Sequence, residues 1–488
     1  AAAGCSLAPR YVRPDVAAPA SFKEAPAATA PGSPAWKAAE PAENAPRGAW
    51  WSVYGDPDLD ALEAQVDVSS QTVLAAAAQF RQARALAASA RSSLFPTVGI
   101  APSATRRYGA TSASSSAPAT TTDTLALPIA ASWEADAWGA LRNGADAGAA
   151  TAQAAAAQAA AVLLQVQAEV ALDYFELRAL DEQLAVLRET VERYGEALQL
   201  TKDRLEGGVA AQEDVAQATT VLEAAKAQEL DAGVARAQLE HALAVLVGKA
   251  PAEFSLAPAK RTVAVPAIPL VLPSALLERR PDVGAAERRV AAANAQIGVA
   301  RAAYFPAIAL SGQAGTQSGA AAGLLSLPNR VWSLGVSAAT TLFDGGRRRA
   351  GVEEARASYD LAVANYRQTV LGAFQEVEDD LVGVRMLGDE ALAQERALAA
   401  ARETLDLSNV RYVGGVVSYL DVVGAETSAL TRELALITTR SRRLQASVQL
   451  VKALGGGWDA SRIPAPREVL STQGDAARPG AVAGAAAR

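Results

Sequence analysis

Reactive side chains are scarce in this sequence. Its 488 residues include one cysteine, one histidine and one methionine, and aromatics are only 5%. A single cysteine, Cys5, cannot close an internal disulfide, so cysteine usage leaves the redox compartment open. The lone histidine, His241, lies in an alanine-rich helical stretch and reads as a surface or packing residue. No Cys/His cluster has metal-ligand spacing, and neither G-x-x-x-x-G-K-[ST] nor G-x-G-x-x-G occurs. No catalytic residue, metal or cofactor is therefore expected, and the chain does not read as an enzyme. A net charge of −7 with no basic cluster speaks against nucleic acid. No apolar run approaches the roughly 20 residues of a transmembrane helix; the stretch 148–168 is interrupted by glutamines.

What is abundant is alanine, which carries much of the 50% hydrophobic content. Alanine favours helix and lets helices approach closely, so long thin packing is expected over a thick globular core. The chain also repeats itself. Arg204-Leu205-Glu206-Gly207-Gly208-Val209 and Asp214-Val215 match Arg411-Tyr412-Val413-Gly414-Gly415-Val416 and Asp421-Val422, 207 positions on. Ala90–Pro96 matches Ala300–Pro306 at an offset of 210, each ending in Phe-Pro. One architecture built twice replaces the count of roughly three domains that length alone suggests.

Proline opposes continuation of a helix, so each half switches from helix to strand at its Phe-Pro. Period-two stretches follow, with strands expected at about 97–107, 124–135, 307–317 and 331–343. Such strands suit a membrane barrel, although a soluble sheet alternates in the same way. Pro128 inside one of them calls for an edge or a bulge. A long helix follows each strand pair, 145–206 and 347–413, and turns at a glycine pair into a second helix, 209–247 and 416–454. About 60 residues of helix span roughly 90 Å, and spacings such as Leu180-Leu184-Leu187-Val191 suggest coiled-coil packing.

The organisation expected is an extended N-terminal segment (1–49), a first repeat (50–247), a proline-rich linker region (248–273), a second repeat (274–457) and a C-terminal segment with a polar tail (458–488). Gly455-Gly456-Gly457 reads as a helix stop. Small residues before Cys5 resemble the end of a bacterial lipoprotein signal, although Ala2 replaces the usual leucine; the alternative is an ordinary thiol.

Leu276–Val283 (LLERRPDV), Ala293–Arg301 (ANAQIGVAR), Leu342-Phe343-Asp344-Gly345-Gly346 and Gly455-Gly456-Gly457-Trp458 resemble signatures of the TolC-like outer-membrane factors, in the OprM/NodT-type efflux lipoprotein branch. The resemblance covers nearly the whole chain after the N-terminal segment. It implies a homotrimer with four strands per subunit, a twelve-stranded barrel in the outer membrane and a periplasmic tunnel of helices. Its function would be the exit duct of a tripartite efflux system, with a periplasmic membrane-fusion adaptor and an inner-membrane resistance-nodulation-division pump as partners, and a lipid on Cys5. The alternatives are the outer-membrane component of type I protein secretion and a non-pore coiled-coil protein. In this family carboxylates at the tips form the periplasmic constriction, which assigns Asp214 and Asp421 to the aperture. Tyr412 falls at a position that keeps the tips closed, and Gly207, Gly208, Gly414 and Gly415 at tips that meet the adaptor. A carboxylate ring would raise its own pKa by like-charge repulsion; the other reading of Asp214 and Asp421 is as acids opposing a helix macrodipole. The family's second acid is Gly424 here and its basic gate residue is Val417, so closure by packing is expected over an ion-pair lock.

Overall fold

A computed structural model describes residues 6–25, 49–109, 119–259, 263–266, 268, 276 and 278–470. Cys5, much of the 248–273 linker and the tail after 470 lie outside the described residues.

The two repeats are built to the same measure. The long helices α3 (Ala140–Glu206) and α6 (Arg347–Val413) have 67 residues each, and their return helices α4 (Gln212–Leu246) and α7 (Tyr419–Ala453) have 35 each. At 1.5 Å per residue the longer pair spans roughly 100 Å. Shorter helices precede each half: α1 (Pro57–Ser69) and α2 (Gln71–Ser92) in the first, α5 (Pro281–Ala302) in the second. Asp56 caps α1 by accepting from the Asp58 and Leu59 amides, with Pro57 at the first helical position, where no amide is needed. A final turn, α8 (Pro466–Leu470), lies against α2 and α3. An 18-residue window of α3 does reach the length and hydropathy of a membrane-crossing helix, contrary to the reading of the sequence. Alanine supplies that hydropathy, and α3 packs against α2, α4, α5 and α7.

The strands form one antiparallel sheet. β1 (Thr97–Ile100) and β2 (Ser103–Gly109) both pair β3 (Thr120–Ala135), which pairs β4 (Ala307–Ser318), which pairs β5 (Arg330–Ala339). The strand expected at 97–107 is thus interrupted, but its two parts keep one register: Ile100 faces Ile129 and Ser103 faces Ala126. Pro102 and Pro128 lack the amides that would complete the ladder there; the Ala101 amide donates to the Pro128 carbonyl at 3.2 Å. Pro128 itself sits in an interior strand without a bulge, correcting the expected edge or bulge. Gly315 opposite makes this possible, because a Cβ there would lie 2.3 Å from the Leu127 carbonyl oxygen. The last strand ends at Ala339 instead of 343, leaving Leu342 and Phe343 exposed.

Register places the apolar residues together. Ile129, Ala314 and Trp332 lie in one row, and Trp133, Leu310 and Val336 in another, all on one face. Ser132, Ser311 and Gly335 line the other face. The apolar face is bare: Trp332, Leu334 and Val336 of β5 are 75%, 80% and 73% exposed. β1, β2 and β5 each pair on one side only among the described residues.

Below the sheet, the sequence signatures lock onto one another. Gly455, Gly456 and Gly457 all have positive φ, and a Cβ on Gly455 would lie 2.0 Å from the Arg279 carbonyl oxygen. The glycines are therefore more than a helix stop: they let the end of α7 touch the Arg-Arg-Pro-Asp turn. Trp458 packs where a Cβ on Gly284 would come within 3.0 Å of it. Arg280 is buried and donates to Asp282, to Glu376 and to the Ala453 carbonyl. The first repeat makes the same close approach, Gly248 against the Ser69 carbonyl oxygen, also at 2.0 Å.

A buried ion network ties α1, α3 and α4 to the chain after Gly248. Asp181 accepts from Arg178 at 2.9 Å, Arg236 at 2.7 Å and the Ala259 amide at 3.1 Å. Arg178 also donates to Asp58 and to the Ala257 carbonyl. Removing Asp181 leaves two guanidinium groups short of their shared partner, so Asp181→Ala is expected to destabilise the protein by about 3 kcal/mol, checked by its denaturation midpoint. Glu63 of α1 is the opposite case. It is fully buried with neither carboxyl oxygen hydrogen-bonded, and burial, with Asp67 and Asp60 adding repulsion, pushes its pKa up to about 9. A raised folded pKa means stability present below the unfolded value of 4.5 and lost progressively as pH rises to about 9. Glu63→Gln is expected to flatten that decline in unfolding measurements between pH 5 and 9; an unchanged slope would assign the decline to other groups.

Candidate functional site

The far ends of the two hairpins carry the residues singled out by the repeat. Each long helix closes in the same way. The Val209 amide donates to the Arg204 carbonyl and the Val416 amide to the Arg411 carbonyl, both at 2.9 Å. Gly208 and Gly415 both sit at φ +73°, the left-handed conformation that ends a helix. Gly207 and Gly414 have ordinary helical φ, −74° and −75°, and a Cβ on either would meet nothing closer than 3.5 Å. The second glycine of each pair is thus required by the turn, and the first is not.

Asp214 and Asp421 occupy matching places, the third position of α4 and of α7. Asp214 accepts from the Ala211 amide at 2.9 Å. Asp421 accepts from the Ser418 amide at 3.0 Å and the Ser418 hydroxyl at 2.7 Å. Both carboxylates therefore satisfy helix-start donors, and each also opposes the helix dipole. The Ser418 hydroxyl and amide, with Arg411 nearby, hold the Asp421 carboxyl below the ordinary carboxylate range. Within one subunit the shift is therefore downward, opposite to the rise expected of a ring, which needs neighbouring copies.

Tyr412 is half-buried and bridges the hairpins. The Arg204 guanidinium lies over its ring at 4.8 Å, and the Tyr419 ring lies 5.6 Å from it, inclined at 51°. Tyr419 joins Tyr194, Leu198, Leu222, Val422 and Val423 in the buried cluster nearest the tips. Its hydroxyl is buried without a hydrogen bond, as is Oε2 of Glu426. Burial, with Glu426 next in effect, pushes the Tyr419 phenol up to about 12. Val417 is half-buried and Gly424 exposed, so neither supplies an ionic partner. Arg204, Tyr419 and Glu426 were missed by reasoning from sequence. The signal available was Arg204 itself, invariant between the repeats, and the grouping of tyrosines near the tips of an aromatic-poor chain.

Long paired helices hung beneath an apolar-faced antiparallel sheet define an outer-membrane channel protein. The chain belongs to the outer membrane efflux protein family, whose model matches residues 58–249 and 272–456. It is similar to the pyoverdine export outer membrane protein OpmQ of Pseudomonas aeruginosa, 32% identical over 426 residues covering 85% of this chain and 88% of that one. It is also 32% identical over 463 residues to the toluene efflux pump outer membrane protein TtgF of Pseudomonas putida, covering 94% of this chain and 95% of that one. Among solved structures, the outer-membrane channel OprN aligns with a TM-score of 0.86 at 29% identity, covering 93% of this chain and all of that one.

The Asp421 geometry has a measurable consequence. A depressed folded pKa gives stability that is present above the ordinary value of 3.8 and lost as pH falls through the folded value. Ser418→Ala removes one of the two Ser418 bonds and is expected to bring the Asp421 pKa back toward 3.8, read by carboxyl NMR titration. An unchanged pKa would show that the amide bond and Arg411 suffice.

Proposed function

We propose that the chain is one subunit of a homotrimeric, passive exit duct in the outer membrane, carrying small molecules out for a tripartite efflux system. One observation carries the reading: a sheet with a single apolar face and, among the described residues, two unpaired edges continues into helices roughly 100 Å long. Backbone edges are prohibitive in lipid, and the few strands of one chain cannot close a barrel, since known barrels need at least about eight. Three copies, each counting β1 and β2 as one interrupted strand, supply twelve strands and pair β5 of one copy with β1 and β2 of the next. The non-pore coiled-coil alternative gives no account of the bare apolar face. The type I secretion alternative differs in cargo and partner, and the export and efflux roles named for OpmQ and TtgF favour small-molecule efflux.

In this reading the tips form the periplasmic aperture. Asp214 and Asp421 supply its negative charge, and Arg204, Tyr412 and Tyr419 hold the second hairpin against the first. The tip turns at Gly207, Gly208, Gly414 and Gly415 meet a periplasmic adaptor, which links the duct to an inner-membrane pump that supplies the energy. Lipid on Cys5 is supported by its neighbours: the Ser6 hydroxyl reaches Asn143 and the Leu7 carbonyl accepts from Arg301, both near helix ends that adjoin strands.

Planar-bilayer recording tests the proposal. The purified protein is expected to be trimeric and to give a small, cation-selective conductance. Asp421→Ala is expected to raise the conductance and weaken the selectivity. Arg204→Ala, which removes a contact of about 1 kcal/mol, is expected to raise the open probability several-fold without changing selectivity. A monomeric protein in detergent with no conductance would overturn the reading.

A further inference from the structure

The two ends of the described chain lie in equivalent grooves, one on each repeat. On the second repeat, Asn294 of α5 donates to the Pro9 carbonyl at 2.8 Å and Arg301 to the Leu7 carbonyl at 3.2 Å. On the first, Arg84 of α2 donates to the Val469 carbonyl at 3.4 Å and Arg91 to the Leu470 carbonyl at 3.2 Å. Arg84 corresponds to Asn294 and Arg91 to Arg301 at the same 210-residue offset that relates the two Phe-Pro elements. Each donor pair is seven residues apart, two helical turns, and so lies on one face of its helix.

We propose that these grooves are a matched pair of braces: each holds one terminal segment of the described residues and stiffens the joint where helix becomes strand. The position of the donors supports this. Arg91 and Arg301 stand four residues before Phe95 and Phe305, where the chain leaves the helices for the sheet. Both grooves grip main-chain carbonyls, which every residue presents, so two unrelated sequences can fill them. The segments also enter with opposite chain direction: residue number falls toward the strands in the N-terminal segment and rises toward them in the C-terminal one. Apolar packing completes each brace. Val469 is buried against Ala87 and Ala152, and Gln153 donates to the Pro464 carbonyl. On the other side, a Cβ on Gly298 would lie 2.7 Å from the Ala8 methyl, so the N-terminal segment can approach only where that side chain is missing. Further down, Phe22 is buried in the second-repeat core, and the Lys23 and Glu24 amides donate to the Glu378 carboxylate.

The braces stand whether or not the chain conducts, so their test is independent of the proposed duct. Hydrogen exchange is measured on the full-length protein in detergent for the double variants Arg84→Ala/Arg91→Ala and Asn294→Ala/Arg301→Ala. The first is expected to speed exchange about tenfold in the last two turns of α2 and the first turns of α3, leaving α5 unchanged. The second is expected to do the reverse, loosening α5 and not α2. Deletion of 464–488 is expected to reproduce the first pattern. No change in α2, or the same rise in α2 and α5 from one variant, would overturn the proposal.

Discussion

The register in which β3 meets β4 governs the rest of the molecule. Eleven residue pairs, from Leu125 opposite Ser318 to Ala135 opposite Ile308, join the first repeat to the second without a bulge. A slip of one residue would turn every side chain of one strand to the other face, breaking the single apolar surface. It would also displace the helices, because β3 runs within five residues into α3 and α5 runs within five into β4. The fit of Pro128 against Gly315 helps pin the register, since a side chain at 315 would strike the Leu127 carbonyl.

Long levers need firm hinges, and the joints between sheet and helices are heavily tied. The Trp133 indole of β3 donates to the Leu94 carbonyl and the Trp138 indole, just after β3, to the Pro306 carbonyl, so each half's Phe-Pro region is held by a tryptophan. Trp138 also stacks on Phe305 at 4.7 Å. The glycine approaches of Gly248 and Gly455 then repeat one close contact at the other end of the short helices. The signatures are therefore recognisable in sequence because they are steric: a glycine is required where two backbones touch, and a tryptophan where a cavity must be filled.

Local periodicity was legible, and distance was not. The ends of α2 and α5 and the tips of both hairpins follow from Phe-Pro, from glycine at positive φ and from the acid three residues into the next helix. All of those signals lie within a few residues of what they determine. α3 begins at Ala140, five residues before the expected 145, because Asp136 accepts from the Leu141 and Arg142 amides and supports an earlier start. The break between β1 and β2 depends on Pro102 and Pro128 falling at adjacent rungs of one ladder, and the burial of Phe22 depends on α5 and α6 more than 250 residues away. Nor could Glu63 be told from half-buried Asp58 and exposed Asp60 without knowing which face of α1 meets α3.

The tips show why asymmetry arises within a repeat. Both hairpins share the turn and the capping acid, and only the second has tyrosines at the two positions that flank its turn. Those rings turn the second hairpin toward the first, where Arg204, common to both repeats, finds a ring to cover. The first hairpin has Leu205 and Gln212 in those places, and among the described residues no ring lies under Arg411. In the proposed duct the capping acids would serve two ends at once. Both bonds from Ser418 fall on Oδ2 of Asp421, which leaves Oδ1 of an exposed carboxylate able to act outward. Because those same bonds hold the carboxyl ionised, helix capping within one subunit is what would keep an aperture charged when copies bring these acids together and repulsion pushes the other way.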